Sequence, residues 1–230
     1  MTWHEDSRKN DGRMRHPTDS LAWKSFNSLY PEFSSDPRNI RLGLASDGFN
    51  PFRTLSVTHS TCPVIVIPYN LPPWICMKQS YFILSLLIFG PKGPGNNIDV
   101  YLQPLVAELH ELWEVGVETF DAATSQTFQL RAVLMWNIND FPAYANLSGW
   151  STREEYDCPC CGYNTASKWL KHSRKFCYMC HRRWLDSNHR FRTDNHSFDG
   201  TEEHRSVHSP PSGSNILRQL ERLNGTEYGP

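Results

Sequence analysis

The chain has 230 residues, which is enough for one core of ordinary size and a smaller appendage. Hydrophobic residues make up 39% and aromatic residues 13% of it, a composition that excludes a wholly disordered or collagen-like protein. The net charge of −1 excludes no class of partner, so a surface for nucleic acid would have to be a local basic patch.

Neither a targeting segment nor a membrane span is predicted. Residues 1–15 are polar and of mixed charge, unlike a secretory signal peptide. The longest apolar run, Tyr81–Phe89, is too short to cross a bilayer and better suits a buried strand. We therefore expect a soluble intracellular protein that has no membrane partner.

The first half of the chain predicts three strands after a polar beginning. Residues 1–38 are rich in Asp, Arg, Lys and Ser and are predicted to be an irregular lead-in. Strands are predicted at Ile40–Ala45, Pro63–Tyr69 and Tyr81–Phe89, because each run is apolar or rich in Val and Ile and ends at turn residues or at glycine and proline.

The pattern then changes to a helical period. Apolar residues from Ile98 to Trp113 recur every three or four positions, which predicts an amphipathic helix. Thr127–Ile138 is predicted to be one buried strand. A helix is predicted over Pro142–Leu147, because proline suits the first turn of a helix.

The predicted order is strand, strand, strand, helix, strand, helix, the opening order of an RNase H-like fold. In that fold the first and fourth strands are neighbours, so side chains at their ends converge. Asp47 follows the first predicted strand and Asp140 closes the fourth. The sequence therefore predicts an α/β protein with a mixed sheet, in which residues 39–150 form a partial RNase H-like core.

Two interpretations of Asp47 and Asp140 are open, one as metal ligands and one as turn and capping residues. Phosphoryl transfer on DNA uses two divalent ions roughly 3.5–4 Å apart, and Mg²⁺ binds carboxylate oxygens. Asp47 and Asp140 suit two of the ligand positions. The alternative is that Asp47 belongs to an Asp-Gly turn and that Asp140 caps the helix at Phe141-Pro142.

The cysteines divide into two groups. Cys62 and Cys76 are isolated and are predicted to be small buried apolar residues. The other five, clustered after position 157, include two Cys-x2-Cys pairs, formed by Cys158, Cys161, Cys177 and Cys180. Their spacing is typical of a structural zinc site, with His181 and His189 as imidazole alternatives. The competing interpretation is a set of reduced thiols.

Within residues 151–192, the stretch 168–192 concentrates basic charge: it has eight Lys and Arg residues and one acidic residue, Asp186. Five aromatic residues are interleaved there: Trp169, Phe176, Tyr178, Trp184 and Phe191. Such a stretch can track a phosphate backbone and stack on unpaired bases. Alternatively, the aromatic residues pack a small core around zinc. Residues 193–230 are predicted to be a loop and a short helix that begins near Ile216.

Several long segments, spread over nearly the whole chain, resemble the catalytic region of plant CACTA (En/Spm-like) DNA transposases. They include Leu44–Phe52, Ile67–Trp74, Asn139–Tyr144 and His172–Met179, with shorter matches at Pro91–Gly95, Leu147–Trp150 and His181–Arg183. The resemblance implies DDE-type, cut-and-paste transposition on an RNase H-like core. It also implies DNA as the partner, a nuclear location and a possible oligomer.

The resemblance assigns roles to individual residues. Asp47 and Asp140 become the first two catalytic acids, holding Mg²⁺ or Mn²⁺. A structural Zn²⁺ would be bound by Cys158, Cys161, Cys177 and His181. Cys180 is the alternative fourth ligand, and His181 is preferred because the family usually has glycine at the position of Cys180. Six basic residues are expected to contact DNA: Lys168, Lys171, Arg174, Lys175, Arg182 and Arg183.

The third acid of the family is a glutamate that lies further downstream. No pattern puts Glu202, Glu203 or Glu221 on a core helix beside the two aspartates. We therefore expect a fragment of a transposase that does not cleave DNA alone. The alternative function is non-catalytic, zinc-dependent DNA binding by a protein derived from a transposon.

Overall fold

The computed structural model describes residues 1–7, 11–52, 59–148, 154–156, 158, 161–207, 209 and 211–221. The chain forms two compact units, unit 1 at Met1–Ala143 and unit 2 at Tyr144–Pro230. No helix in the described part of the chain is long and apolar enough to cross a membrane.

The described residues of unit 1 form six strands and five α-helices, with short 3₁₀-helices at Pro17–Asp19, Gln79–Tyr81 and Gly95–Asn97. The strands are β1 Ile40–Ser46, β2 Ser60–Pro68, β3 Ile83–Gly90, β4 Val117–Asp121, β5 Gln126–Leu130 and β6 Ala132–Ile138. The helices are α1 Trp3–Asp6, α2 Leu21–Leu29, α3 Pro31–Ser34, α4 Pro73–Cys76 and α5 Ile98–Glu114. A sixth helix, α6 Phe141–Ser148, begins in unit 1 and ends in unit 2.

Unit 2 is built from short elements. A hairpin pairs β7 Ser167–Leu170 with β8 Lys175–Tyr178, and the helices are α7 Arg190–Thr193 and α8 Gly213–Leu220. Single turns of 3₁₀-helix span Gly162–Asn164 and Cys180–Trp184. The predicted short helix near Ile216 is confirmed by α8.

The main sheet of unit 1 has the strand order β3-β2-β1-β6. β1 and β2 are antiparallel, as are β2 and β3, whereas β1 and β6 are parallel. This mixed sheet, with α5 packed against β3 and β6, confirms the predicted α/β class. It also confirms that the first and fourth predicted strands lie side by side.

The single strand predicted over Thr127–Ile138 is wrong, because the chain changes sheets at Arg131. β5 pairs with β4 in a separate hairpin, and only β6 joins the main sheet. The backbone N–H of Arg131 donates to Asn39 Oδ1 at 2.8 Å, and its carbonyl accepts from Ile40 N at 2.8 Å. The apolar pattern continues through this residue, so it carries no local signal for the break.

The strand β3 is an exposed edge rather than the buried strand that was predicted. Ile83, Leu84 and Phe89 are 54%, 58% and 65% exposed. β3 pairs with β2 along one side only, so an apolar run here does not imply burial. Cys62 and Cys76, in contrast, are buried as predicted.

Residues 1–38 are not the irregular lead-in that was predicted, since they supply part of the core. Trp23 of α2 is buried with Ile67, Tyr69 and Cys76. Its ring stacks on Trp136 of β6 with the centroids 6.2 Å apart. The helical pattern of α2 is present in the sequence and was missed: after the N-cap residue Ser20, the aromatic residues Trp23, Phe26 and Tyr30 recur at three- and four-residue steps.

The buried Tyr69 ring lies directly over Gly43 of β1. A Cβ atom at position 43 would come 2.5 Å from the Tyr69 ring. Glycine is therefore required where the aromatic ring crosses the sheet. On the opposite face, Leu42, Leu44, Val64 and Val66 are buried.

Two buried asparagine side chains join β1 to its surroundings. Asn70, which is 0% exposed, accepts from Arg41 N at 2.8 Å and donates to the carbonyls of Pro37 and Asn39 at 3.1 and 2.8 Å. Asn39 donates to the Phe33 carbonyl at 2.8 Å besides accepting from Arg131 N. The two amides thus satisfy main-chain groups from the lead-in and from the starts of β1 and β6.

The side chain of Arg41 is buried beneath the N-terminal helices. Its guanidinium donates to Asn27 Oδ1 at 2.8 Å and lies 4.7 Å from the Trp23 ring. Burial lowers the pKa of Arg41 to about 10. Burial and the charge of Arg41 lower the pKa of His4 to about 4, so His4 is neutral at pH 7.

Replacing Asn70 tests how much unit 1 depends on this network. In Asn70→Ala, one buried N–H and two buried carbonyls lose a partner, so we expect unit 1 to lose about 3 kcal/mol of stability. The measurement is hydrogen exchange of the β1 and β2 amides along a urea titration. Asn137→Ala, at an exposed position of β6, is the matched control, and equal stability of the two variants would contradict the expectation.

Candidate functional site

The two predicted acids, Asp47 and Asp140, lie just beyond the carboxyl ends of two neighbouring parallel strands. Ala45 of β1 is paired with Ile138 of β6, so continuing this register by two residues sets Asp47 opposite Asp140. Neighbouring strands are about 4.8 Å apart. Both residues are exposed. The convergence of the two side chains stays a prediction, and the observed register is compatible with it.

This pairing depends on an irregularity in β6. Leu42 is paired with Leu134, but Gly43 is paired with Trp136, so that Met135 is skipped. A bulge of this kind adds one residue to one strand and shifts all later pairs. Without it, continuing the register would set Asn139, rather than Asp140, opposite Asp47.

The side chain of Asn139 joins the two strand ends. Its amide contacts the backbone of Ser46, the residue before Asp47, in either orientation of the amide group. In one orientation Oδ1 accepts from Ser46 N at 3.3 Å. In the other, which satisfies more groups, Nδ2 donates to the carbonyls of Ser46 and Ile138 at 3.1 and 3.0 Å. Sequence reasoning missed this residue, because its partner is remote in the chain.

Asp140 also has the capping role that was the alternative interpretation. Its Oδ1 accepts from Ala143 N at 2.8 Å at the start of α6. Among the described residues, no protein donor is assigned to Oδ2. Capping and ligand binding are therefore compatible, since they use different oxygens of one carboxylate.

The loop that carries Asp47 is attached to the beginning of β2. Phe49 and Thr61 exchange two backbone hydrogen bonds, with N–O distances of 3.0 and 2.9 Å. The backbone on both sides of Asp47 is therefore held, by β1 before it and by this bridge after it.

The first cysteine pair adopts a tight turn. The Cys158 carbonyl accepts from the backbone N–H groups of Cys161 and Gly162 at 3.1 and 2.7 Å. Gly162 follows with φ of +52°, in the left-handed region that favours glycine. A turn of this shape can aim two cysteine side chains at one ion.

The remaining predicted zinc ligands lie in other elements of unit 2. Cys177 lies in β8 opposite Lys168, and His181 is exposed with its ring 5.6 Å from that of Phe198. In the part of the chain that the structure describes, no three His, Cys, Asp or Glu side chains form a group that could hold a metal ion. Cys160 and the side chain of Cys180 lie outside the described atoms.

Arg182, one of the six predicted DNA contacts, is a buried structural residue. It is 1% exposed, and its guanidinium donates to the carbonyls of Asp194 and Thr201 at 3.3 and 3.0 Å. It also pairs with the Asp199 carboxylate at 3.0 Å and lies 4.5 Å from the Phe198 ring. A guanidinium enclosed in this way cannot reach a phosphate, so the prediction of a DNA contact is wrong for Arg182.

A second arginine, Arg192, has the same function in unit 2. It is buried and donates to four backbone carbonyls, among them those of Arg183 at 2.8 Å and Leu185 at 2.9 Å. Nearby, the buried carboxylate of Glu203 accepts from Arg205 Nε at 2.8 Å, and these hydrogen bonds lower the pKa of Glu203. The Glu203 carboxylate is therefore held by Arg205 within unit 2.

The other predicted DNA contacts are accessible to different degrees. Lys171, Arg174 and Lys175 are exposed at the turn of the β7–β8 hairpin. Lys168 is also exposed, and its Nζ donates to the Asp199 carbonyl at 3.0 Å. Arg183 is half-buried, and its guanidinium contacts main-chain carbonyls on the surface of unit 2. The accessible positive charge of this region is therefore concentrated on the hairpin.

Comparison with known proteins gives one family. The family model described as "Transposase family tnp2" matches residues 11–223, which is most of the chain. No curated protein and no solved structure matched the chain.

Replacing Arg182 separates its structural role from DNA contact. In Arg182→Met, the Asp199 carboxylate and several carbonyls lose their partner, so we expect a local loss of stability of about 3 kcal/mol. The measurement is hydrogen exchange of residues 181–205 in the full chain. Lys175→Met, at an exposed position, is the control. Equal exchange in the two variants would show that Arg182 is not structural.

Proposed function

The chain belongs to the tnp2 family of transposases, and we propose that it is the catalytic-region part of a DDE-type, cut-and-paste DNA transposase of the plant CACTA (En/Spm-like) group. The complete enzyme would cut the ends of its own element and join the freed 3′ ends to target DNA. The observation that carries this proposal is the parallel register of β1 and β6, in which Ala45 is paired with Ile138, two residues before Asp47 and Asp140 respectively.

The topology of unit 1 supports an incomplete RNase H-like core. The antiparallel neighbours β3, β2 and β1 are followed by the parallel strand β6, the order in which such a core begins. α5 lies between β3 and β6 in the chain and packs against both. The β4–β5 hairpin is then an insertion before β6.

The proposed roles of the aspartates follow from their surroundings. Mg²⁺ or Mn²⁺ bound there would activate the attacking oxygen and stabilise the leaving oxygen of a phosphodiester. Asp140 would bind through Oδ2, since its Oδ1 caps α6. Asn139 would hold the two strand ends together, so that the carboxylates are positioned before an ion or DNA arrives.

We further propose that this stretch needs an additional acid before it can cleave DNA. Two carboxylates provide few of the oxygen ligands that a pair of divalent ions requires. Within the described ranges, no third acidic side chain joins the two aspartates in a metal-binding group. The acid would come from the glutamate that the family carries further downstream.

In this proposal the two units have different roles. Unit 1 would supply the two acids, and unit 2 would contact the DNA phosphates through Lys168, Lys171, Arg174, Lys175 and Arg183. With DNA as its partner, the protein would act in the nucleus, and the complete transposase would work as an oligomer.

Metal binding by the aspartates tests the proposal without requiring cleavage. We expect Asp47→Asn and Asp140→Asn each to weaken Mn²⁺ binding on the order of 10-fold or more, because a charged ligand is lost. Asparagine keeps the capping oxygen at position 140, so the fold should survive. The measurement is titration of the chain with Mn²⁺, followed by electron paramagnetic resonance of the free ion.

Glu118→Gln, which changes an exposed carboxylate on β4, is the control and should leave Mn²⁺ binding unchanged. If both aspartate variants bound Mn²⁺ as tightly as the unaltered chain, the proposed acid site would be wrong.

A second candidate function is zinc-dependent DNA binding without catalysis. It is favoured by the compactness of unit 2 and by the tight turn at Cys158–Cys161. We propose that Cys158, Cys161 and Cys177 bind a structural Zn²⁺, with His181 or Cys180 as the fourth ligand. His181 would have to turn away from Phe198 in order to bind.

Zinc content tests this part of the proposal. We expect about one Zn²⁺ per chain purified under reducing conditions, and its loss in Cys158→Ser. Cys62→Ser, in unit 1, should keep the metal. Comparing His181→Asn with Cys180→Ser identifies the fourth ligand. A zinc-free chain would overturn the zinc site and leave the aspartate proposal standing.

A further inference from the structure

The β7–β8 hairpin carries two aromatic rings that contact each other while one of them stays half exposed to solvent. Trp169 of β7 lies directly opposite Phe176 of β8, and the two rings are in contact with centroids 4.9 Å apart. Directly paired residues of an antiparallel hairpin project from the same face. Trp169 nevertheless remains 49% exposed. Phe176 therefore supports one part of the indole ring and leaves the other part open to solvent.

Positive charge surrounds this aromatic pair. Residues 167–178 contain Lys168, Lys171, Arg174 and Lys175 and no acidic residue. Lys171 and Arg174 belong to the turn between the strands, and Arg174 has φ of +49°, which lets the chain reverse direction within four residues. Lys171 and Arg174 are thus gathered at the tip of the hairpin, next to the exposed indole, whereas Lys168 and Lys175 belong to the alternate pairs that project from the other face.

These features are those of a surface that binds unpaired nucleotides. Cations attract the phosphate backbone, and an exposed aromatic face stacks on any base whose own stacking partner has been removed. A duplex keeps its bases stacked and would engage only the cations. The aromatic residues of this region are therefore not all a core around zinc, since the ring of Trp169 is available for contact.

We propose that Trp169, supported by Phe176, stacks on an unpaired base of single-stranded or distorted DNA, while Lys171 and Arg174 in the turn bind the adjacent phosphates. The proposal rests on the proposed function in one respect, the assignment of DNA as partner. It adds the form of DNA recognised and the residue that recognises it.

The test compares two forms of one sequence. A fluorescein-labelled 20-nucleotide single strand and its duplex are titrated with the full chain, and binding is followed by fluorescence anisotropy. Trp169→Ala should weaken binding of the single strand by about 5-fold or more and leave the duplex within about 2-fold, because stacking is lost and the cations remain. Trp169→Phe should keep most of the single-strand affinity.

Trp184 provides a matched control, since it is an equally exposed tryptophan of the same unit at 52% and lies outside the hairpin. Trp184→Ala should change neither affinity. The double variant Lys171→Ala, Arg174→Ala should weaken both DNA forms and reduce the dependence on salt, because phosphate contacts are lost from both.

Stacking itself is observed with a single strand that contains 2-aminopurine, whose fluorescence should be quenched by the unaltered chain and not by Trp169→Ala. Equal weakening of both DNA forms by Trp169→Ala, or unchanged binding of both, would overturn the stacking role and leave DNA as the partner. Failure of the unaltered chain to bind either form would overturn the DNA assignment as well.

Discussion

Asn70 and Asn39 satisfy main-chain groups at one end of β1, and unit 1 is organised around this contact. The Asn70 amide bonds the Arg41 N–H and the carbonyls of Pro37 and Asn39, while the Asn39 side chain bonds the backbone of Phe33 and Arg131. Buried amides that use both their donor and acceptor groups favour one arrangement, because any shift leaves a group without a partner. β1 is thereby held between β2 and β6, and the lead-in is held over the sheet.

The candidate acid site lies at the carboxyl end of β1, the end opposite to the one that Asn70 and Asn39 hold. With β1 and β6 parallel, their carboxyl ends lie at one edge of the sheet, and the register after the skipped Met135, continued by two residues, would set Asp140 opposite Asp47. Asn139 then bonds the Ser46 backbone, so an asparagine joins the strands at this end too. The acids themselves remain exposed, as ligands for ions that arrive with DNA would need to be.

Unit 2 uses its basic residues in two different ways. Arg182 and Arg192 are buried and bond the backbone carbonyls of the surrounding loops, in a segment with few regular elements to satisfy those groups. Lys171, Arg174 and Lys175 stay exposed on the hairpin beside Trp169. The basic residues of this stretch therefore fall into two sets: buried arginines that stabilise the fold of unit 2, and exposed residues of the hairpin that a polyanion can reach.

The amino-acid sequence by itself determined the positions of β1, β2 and α5 and the occurrence of Asp47 and Asp140 at strand ends. Hydrophobic period, turn residues and helix caps are local signals, so they can be recognised without a partner. Only the tertiary structure decided the break at Arg131, the skipped residue in β6, the exposure of β3 and the burial of Arg182. The first two depend on partners far along the chain, as with the Arg131 N–H and Asn39, which are 92 residues apart. The exposure of β3 depends on its position at the edge of the sheet, and the burial of Arg182 depends on the loops that fold around it. Burial and register are properties of such pairs, and no single segment contains them.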